Sequence, residues 1–317
     1  MSESGTRRLA ALDVARGVAL AAMAVYHFSW DLEFFGFAEP GMTAQLPWKL
    51  FARLIATSFL FLAGVSFLLA HGRGFSFGKF WPRFAQIAGA ALAISIATRL
   101  AMPDSFIFFG ILHEIAAASL IGIFAVRLPA LPILALALMA FLLPQLFTDA
   151  AFNTRWLAWT GFAETAPRSN DLVTFFPWTA AFLGGLGITK AASGILPKLA
   201  NQVPAWLKPA EWAGKHSLII YLVHQPVLIG LVWASAQVFP PPYSAPESRF
   251  AAACRQSCEA SRDHLFCENY CSCVLDRLSV SGMLEPVLAG SRDEPVTQSL
   301  DDAVQACTLK AEGAPIQ

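Results

Sequence analysis

The chain has 317 residues, 56% hydrophobic and 14% charged, with 22 lysines and arginines balanced by 22 aspartates and glutamates. A soluble domain of this length carries nearly twice that share of charge, so this composition, with a mean hydropathy of +0.53, excludes an ordinary globular enzyme and indicates a polytopic helical membrane protein. The zero net charge gives no footing for nucleic acid as a partner.

The first apolar run, 10–35, holds charge where a membrane helix normally excludes it. At ~100° and ~1.5 Å per residue, Asp13, Arg16, His27 and Asp31 fall within an arc of roughly 60°, spread over about 27 Å. That length approaches the ~30 Å hydrocarbon thickness, so one helix lines a polar stripe from leaflet to leaflet. Ionisable groups at that depth default to a cavity, a partner or a substrate path. Arg7 and Arg8 before this run resemble the start of a signal peptide, but Asp13 and Arg16 interrupt the apolar core, and a retained span is expected.

Further apolar segments follow at 51–70, 84–102, 106–126, 130–147, 172–188 and 217–238, which makes about seven spans. Arg7 and Arg8, the loop holding His71, Arg73, Lys79 and Arg83, and the loop holding Lys190, Lys198, Lys208 and Lys215 place the N-terminus in the cytoplasm. Lys49, Arg155 and Arg168 on the other side are sparser, and Trp156 and Trp159 suit an interfacial anchor. An odd number of spans sends the C-terminus outside. The expected organisation is a transmembrane domain over 1–240 and a cysteine-rich extracytoplasmic tail over 241–317.

Within the spans, His27 and Asp31 are one helical turn apart, a spacing at which a carboxylate can orient an imidazole and raise its basicity. His113 and Glu114 lie near the outer end of the fourth span, with Arg53 and Arg99 at the outer ends of theirs. Such a set can bind a polar acceptor and stabilise an oxyanion. The bland reading of these groups is a polar network that ties helices together. His224, two residues before Pro226, falls in the inner half of the seventh span and groups with Asp13 and Arg16 as a cytoplasm-facing set for an anionic cofactor. Gly110 is expected to allow close helix approach, and Gly184, Gly185 and Gly187 to form a packing surface.

All six cysteines, Cys254, Cys258, Cys267, Cys271, Cys273 and Cys307, lie in the tail after the Pro240-Pro241-Pro242 break. Two C-x3-C pairs put two cysteines on one face of each of two short helices, which suits a cross-linked hairpin. A region of about 70 residues buries little core, so disulfides are its natural staples. Six cysteines allow fifteen connectivities; the one expected is Cys254–Cys271, Cys258–Cys267 and Cys273–Cys307. The rival is a thiolate metal site, which more often uses C-x2-C and a histidine. No metal is expected.

Four segments together resemble the bacterial branch of the heparan-alpha-glucosaminide N-acetyltransferase catalytic-domain family. They are 8–17 running into Tyr26-His27-Phe28-Ser29-Trp30-Asp31-Leu32; Phe59-Leu60-Phe61-Leu62-Ala63-Gly64-Val65-Ser66; Phe109-Gly110-Ile111-Leu112-His113; and Phe176-Pro177-Trp178 with Gly214-Lys215-His216-Ser217-Leu218 and Tyr221-Leu222-Val223-His224-Gln225-Pro226. The likeness covers roughly 8–238 and leaves the tail outside. It implies acyl transfer across a bacterial inner membrane, from cytoplasmic acetyl-CoA or another acyl-CoA to an extracytoplasmic sugar amine or hydroxyl. It also implies a catalytic histidine near the outer end of the first span region, for which His27 is the nearest match. Eukaryotic members place theirs in the following loop, where this chain has none.

The expected protein is therefore an all-α polytopic bundle acting as an acyl-CoA-dependent acyltransferase. His27, Asp31 and His113 are its catalytic candidates; Arg53, Arg99 and Glu114 face the acceptor; Asp13, Arg16 and His224 face the coenzyme. Its partners are the lipid bilayer and a small-molecule or glycan acceptor, and the reading leaves room for a homodimer. A proton-coupled transporter and a non-catalytic anchor for the tail are the alternatives.

Overall fold

A computed structural model describes residues 10–193, 203–259 and 261–313, so Arg7, Arg8 and Lys198 lie outside the described residues. Among those described there is no β-strand, and helices follow the apolar runs. In chain order they are α1 (Ala10–Phe34), α2 (Leu46–His71), α3 (Phe77–Ala101), α4 (Ile111–Ala125), α5 (Ala130–Leu146), α6 (Arg155–Ala158) and α7 (Phe175–Ala191). Then come α8 (Lys208–Lys215), α9 (Ser217–Val238), α10 (Pro246–Cys258), α11 (His264–Val280), α12 (Leu284–Leu288) and α13 (Glu294–Ala311).

All seven predicted apolar segments are helical, but they differ in reach. Among the described residues α1, α2, α3 and α9 are long and apolar enough to cross a bilayer. Helices α4, α5 and α7 have only 15, 17 and 17 residues, about 22–26 Å of rise. The fourth segment is shorter than its apolar run because residues 106–110 stay out of the helix. Arg99 and Arg155 sit over the Phe106 ring at 5.2 and 5.3 Å, and the helix begins only after Gly110.

The chain divides into two compact units, residues 1–24 with 51–224, and residues 25–50 with 225–317. In the first, Phe67, Phe80, Ile133, Phe182 and Leu186 are buried in one apolar cluster. Helices α2 and α7 approach there to backbone distance: a Cβ at Gly64 would collide with the Phe182 carbonyl, and one at Gly185 with that of Phe61. Gly187 packs on the Leu134 and Ile133 side chains, as a packing surface requires, whereas Gly184 faces open space. The Lys190 ammonium donates to the Val126 and Leu128 carbonyls at 2.7 and 2.6 Å. It thereby closes the negative end of α4.

In the second unit α10–α13 enclose a small core of Val274, Leu278, Leu284, Ala303 and Cys307. Three disulfides staple it: Cys254–Cys271, Cys258–Cys267 and Cys273–Cys307. The pairing is the expected one, and no thiol remains free for a metal among the described residues. The tail is anchored on the loop after α1. Tyr243 N–H donates to the Gly36 carbonyl at 2.9 Å, Gln256 donates to that of Gly41 at 3.1 Å, and Arg255 lies 3.8 Å from Glu39. Glu33 holds the same loop, accepting from Gly41 N–H, Thr43 N–H and the Thr43 hydroxyl at 2.6, 2.8 and 2.6 Å.

Candidate functional site

The polar stripe of α1 turns inward. Asp13 and Asp31 are 2% and 0% exposed, Arg16 and His27 are half-buried, and Val18, Val25 and Phe28 form the exposed face. The alternation follows from the helical period: apolar residues clothe one side and ionisable ones the other.

Near the start of α1, the Arg16 guanidinium donates to Asp13 Oδ1 at 2.7 Å and also reaches the Ser66 hydroxyl of α2. Helix α8 lies close over this pair. A Cβ at Gly214 would strike the Asp13 carbonyl, and one at Gly17 would strike that of Ala210. Asp13 Oδ2 is buried and has no hydrogen-bond partner among the described residues.

A second cluster forms at the start of α4. His113 Nδ1 accepts from Gly110 N–H at 3.1 Å, and its Nε2 lies 3.1 Å from the Ser95 hydroxyl. Ser95 gives its own proton to the Ile107 carbonyl at 2.6 Å, so Nε2 must be the donor to Ser95. Both ring nitrogens are thus engaged, and the tautomer is fixed. Glu114 is fully buried; Thr179 donates to its Oε1 at 2.7 Å, while Oε2 has no partner among the described residues.

Asp171, which the sequence reading did not single out, completes this cluster. Its Oδ2 accepts from Ile111 N–H at 3.3 Å, one of the orphan donors at the helix start. Burial raises its pKa to about 6. Gly110 serves here rather than at a helix crossing: a Cβ on it would meet the Asp171 carboxylate. Tyr221 of α9 lies within electrostatic reach of Asp171 and packs on the cluster of Leu60, Ile111 and Val173. One turn on, His224 Nδ1 lies 2.6 Å from the Tyr221 carbonyl. A carbonyl only accepts, so Nδ1 carries the proton and Nε2 the lone pair. His224 therefore follows a residue packed against the start of α4, whereas the sequence reading grouped it with Asp13 and Arg16.

The two arginines expected near the acceptor are placed otherwise. Arg53 is exposed on α2. Arg99 is also exposed, donates to the Pro103 carbonyl at 2.9 Å and covers Phe106, so it shapes the turn after α3.

In the second unit, Asp31 Oδ1 accepts from the Gln225 side-chain amide at 2.8 Å. Asp31 Oδ2 and Gln225 Oε1 are buried without partners among the described residues. His27, one turn before Asp31, meets Tyr26 edge-on at 5.7 Å between ring centroids. Buried oxygens left unmatched are rare in folded proteins and cost about 1–3 kcal/mol each.

Together these features define a helical membrane protein with buried acids and half-buried histidines inside its apolar helices. Residues 8–226, over half of the chain, match the family described as heparan-alpha-glucosaminide N-acetyltransferase, catalytic, and the chain belongs to that family. No curated protein and no solved structure matches it. Membership makes the protein a membrane acetyltransferase by family, and the match stops before the disulfide-stapled tail.

Proposed function

We propose that the protein moves an acyl group, in the first instance acetyl, from cytoplasmic acyl-CoA to a sugar amine or hydroxyl on the far side of a bacterial inner membrane. The observation that carries this reading is α1 itself. It holds the Asp13–Arg16 pair, with its acid buried, near one end and the buried Asp31, one turn after His27, near the other. A route for a thioester arm from one face to an acceptor at the other needs polar groups at both ends and between them.

In this reading His27 removes a proton from the acceptor as it attacks the thioester carbonyl, or carries the acyl group itself. Both roles need an imidazole that is neutral at the start of the reaction. The new C–N or C–O bond forms as the C–S bond breaks, and the thiolate leaves with the coenzyme. His113, with both nitrogens committed to Gly110 and Ser95, acts as a brace that fixes the start of α4 rather than as the base. Glu114 and Asp171 set the polarity around it. Arg16 is the cation that the spans offer to the coenzyme, tuned by Asp13. The tail is extracytoplasmic, as its disulfides favour.

Acetyl-CoA binding tests the reading without any assumption about the acceptor. Saturating acetyl-CoA should raise the melting temperature of the purified protein, because a ligand that prefers the folded state stabilises it. The Arg16→Ala protein should show a smaller rise. A wild-type melting temperature indifferent to acetyl-CoA, together with pH-gradient-driven solute flux in vesicles, would replace the transferase with a transporter.

A further inference from the structure

A pocket of about 550 Å³ in the second unit is lined by the end of α1 and the beginning of the tail. Trp30, Phe34 and Phe35 supply its aromatic walls from α1 and the residue after it. Tyr243, Ser244 and Arg249 supply its polar side, and all three follow residue 226, where the family match ends. The Tyr243 N–H to Gly36 carbonyl bond, 2.9 Å, joins the two parts.

Its hydrogen-bonding balance is one-sided. The acid in the lining, Glu33, is turned to the loop after α1, where it accepts three hydrogen bonds, one from Gly41 and two from Thr43. Ser244 has already given its proton to the Pro241 carbonyl at 2.7 Å. The Arg249 guanidinium, the Tyr243 hydroxyl and the Trp30 indole N–H form no side-chain hydrogen bond with the described residues. The pocket therefore offers several donors, one of them permanently cationic, beside a carboxylate largely engaged by its own loop. That pattern complements an oxyanion, which arginine binds through charge-assisted bonds. The aromatic walls add a surface for the carbon skeleton that bears it.

We propose that this pocket is an oxyanion-binding subsite, in which Arg249 and Tyr243 of the tail hold a carboxylate or phosphate while its attached ring or chain lies on Trp30 and Phe35. Two sources share that chemistry, a soluble sugar phosphate and an anionic phospholipid headgroup. The subsite stands apart from acyl transfer, and its test uses no acyl donor, so its failure leaves the transferase reading intact.

The experiment has two arms, both on the full chain. In nanodiscs of phosphatidylcholine alone, glucose 6-phosphate is titrated and the melting temperature followed. In the other arm, nanodiscs of phosphatidylcholine are compared with nanodiscs containing phosphatidylglycerol, with no soluble ligand. A rise in the first arm assigns a soluble oxyanion, and a rise only in the second assigns a headgroup. Either rise should weaken roughly tenfold in apparent affinity in Arg249→Ala and survive in part in Arg249→Lys, since a hydrogen bond to a charged group is worth about 1.5–3 kcal/mol. Arg249 is exposed, so its truncation leaves the fold in place; Tyr243→Phe provides a second, milder comparison. No rise in either arm, or a rise equal in wild type and Arg249→Ala, overturns the proposal.

Discussion

Asp31 and Gln225, 194 residues apart in sequence, meet through a 2.8 Å hydrogen bond from the side-chain amide to Oδ1 of the carboxyl group. Asp31 is fully buried, and its other oxygen has no partner among the described residues. Gln225 is thus the donor that makes burial of this acid tolerable. Gln225→Leu should lower stability by about 1–3 kcal/mol, read as a drop in melting temperature, because the acid then loses its donor inside the protein. Asp31→Asn keeps polar partners on both sides and should cost less. A Gln225→Leu protein as stable as wild type would show that the bond contributes nothing.

Asp171 gives a pH-dependent signature. Its pKa is raised from 3.8 to about 6 by burial, so the folded state binds its proton more tightly than the unfolded state does. Stability from this group is complete below 3.8, declines as pH climbs toward about 6, and is level above that. Melting temperature measured across this window should fall with a steeper slope in wild type than in Asp171→Asn. Identical slopes would contradict the assignment.

Most of the fold was legible because a bilayer imposes simple rules. Runs of about 20 apolar residues gave α1, α2, α3 and α9, and the C-x3-C spacing gave a cross-linked hairpin. The inward turn of Asp13 and Asp31 followed from helical periodicity alone. What escaped was set by tertiary contacts. Asp171 reaches Ile111 across 60 residues, a link that no local pattern encodes. Nor could spacing reveal that Ser95 and Gly110 occupy both nitrogens of His113, or that Arg99 is spent on the turn at Pro103 and Phe106. His224 was placed by its depth in the seventh span and the kink at Pro226, while Tyr221, one turn before it, packs on Ile111 and Val173.

The disulfides should contribute unequally. Cys273–Cys307 spans 34 residues of sequence and Cys258–Cys267 only 9. Closing the longer loop restricts the unfolded tail more, by about 4 against about 3 kcal/mol in the chain-entropy account. Replacing Cys273 and Cys307 with alanine should therefore leave the tail more protease-sensitive than replacing Cys258 and Cys267. The reverse order would argue that local packing, not loop closure, governs tail stability.

Gly64 tests the close approach of α2 and α7. A methyl group there meets the backbone carbonyl of Phe182, which cannot rotate away as a side chain can. Gly64→Ala should cost about 1–3 kcal/mol by overpacking. Gly184→Ala, on a neighbouring turn of α7 but facing open space, should be close to neutral. Equal effects would remove the distinction.

In the proposed function the titratable face of α1 lets an acyl group pass from one side of the bilayer to the other. Its most direct measurement is transfer from radiolabelled acetyl-CoA outside oriented proteoliposomes to glucosamine sealed within, comparing wild type with a folded His27→Ala protein. Labelled product is expected in the lumen for wild type, with its near-complete loss in the variant. Undiminished luminal product in His27→Ala, or product formed only on the face that holds the coenzyme, would contradict it.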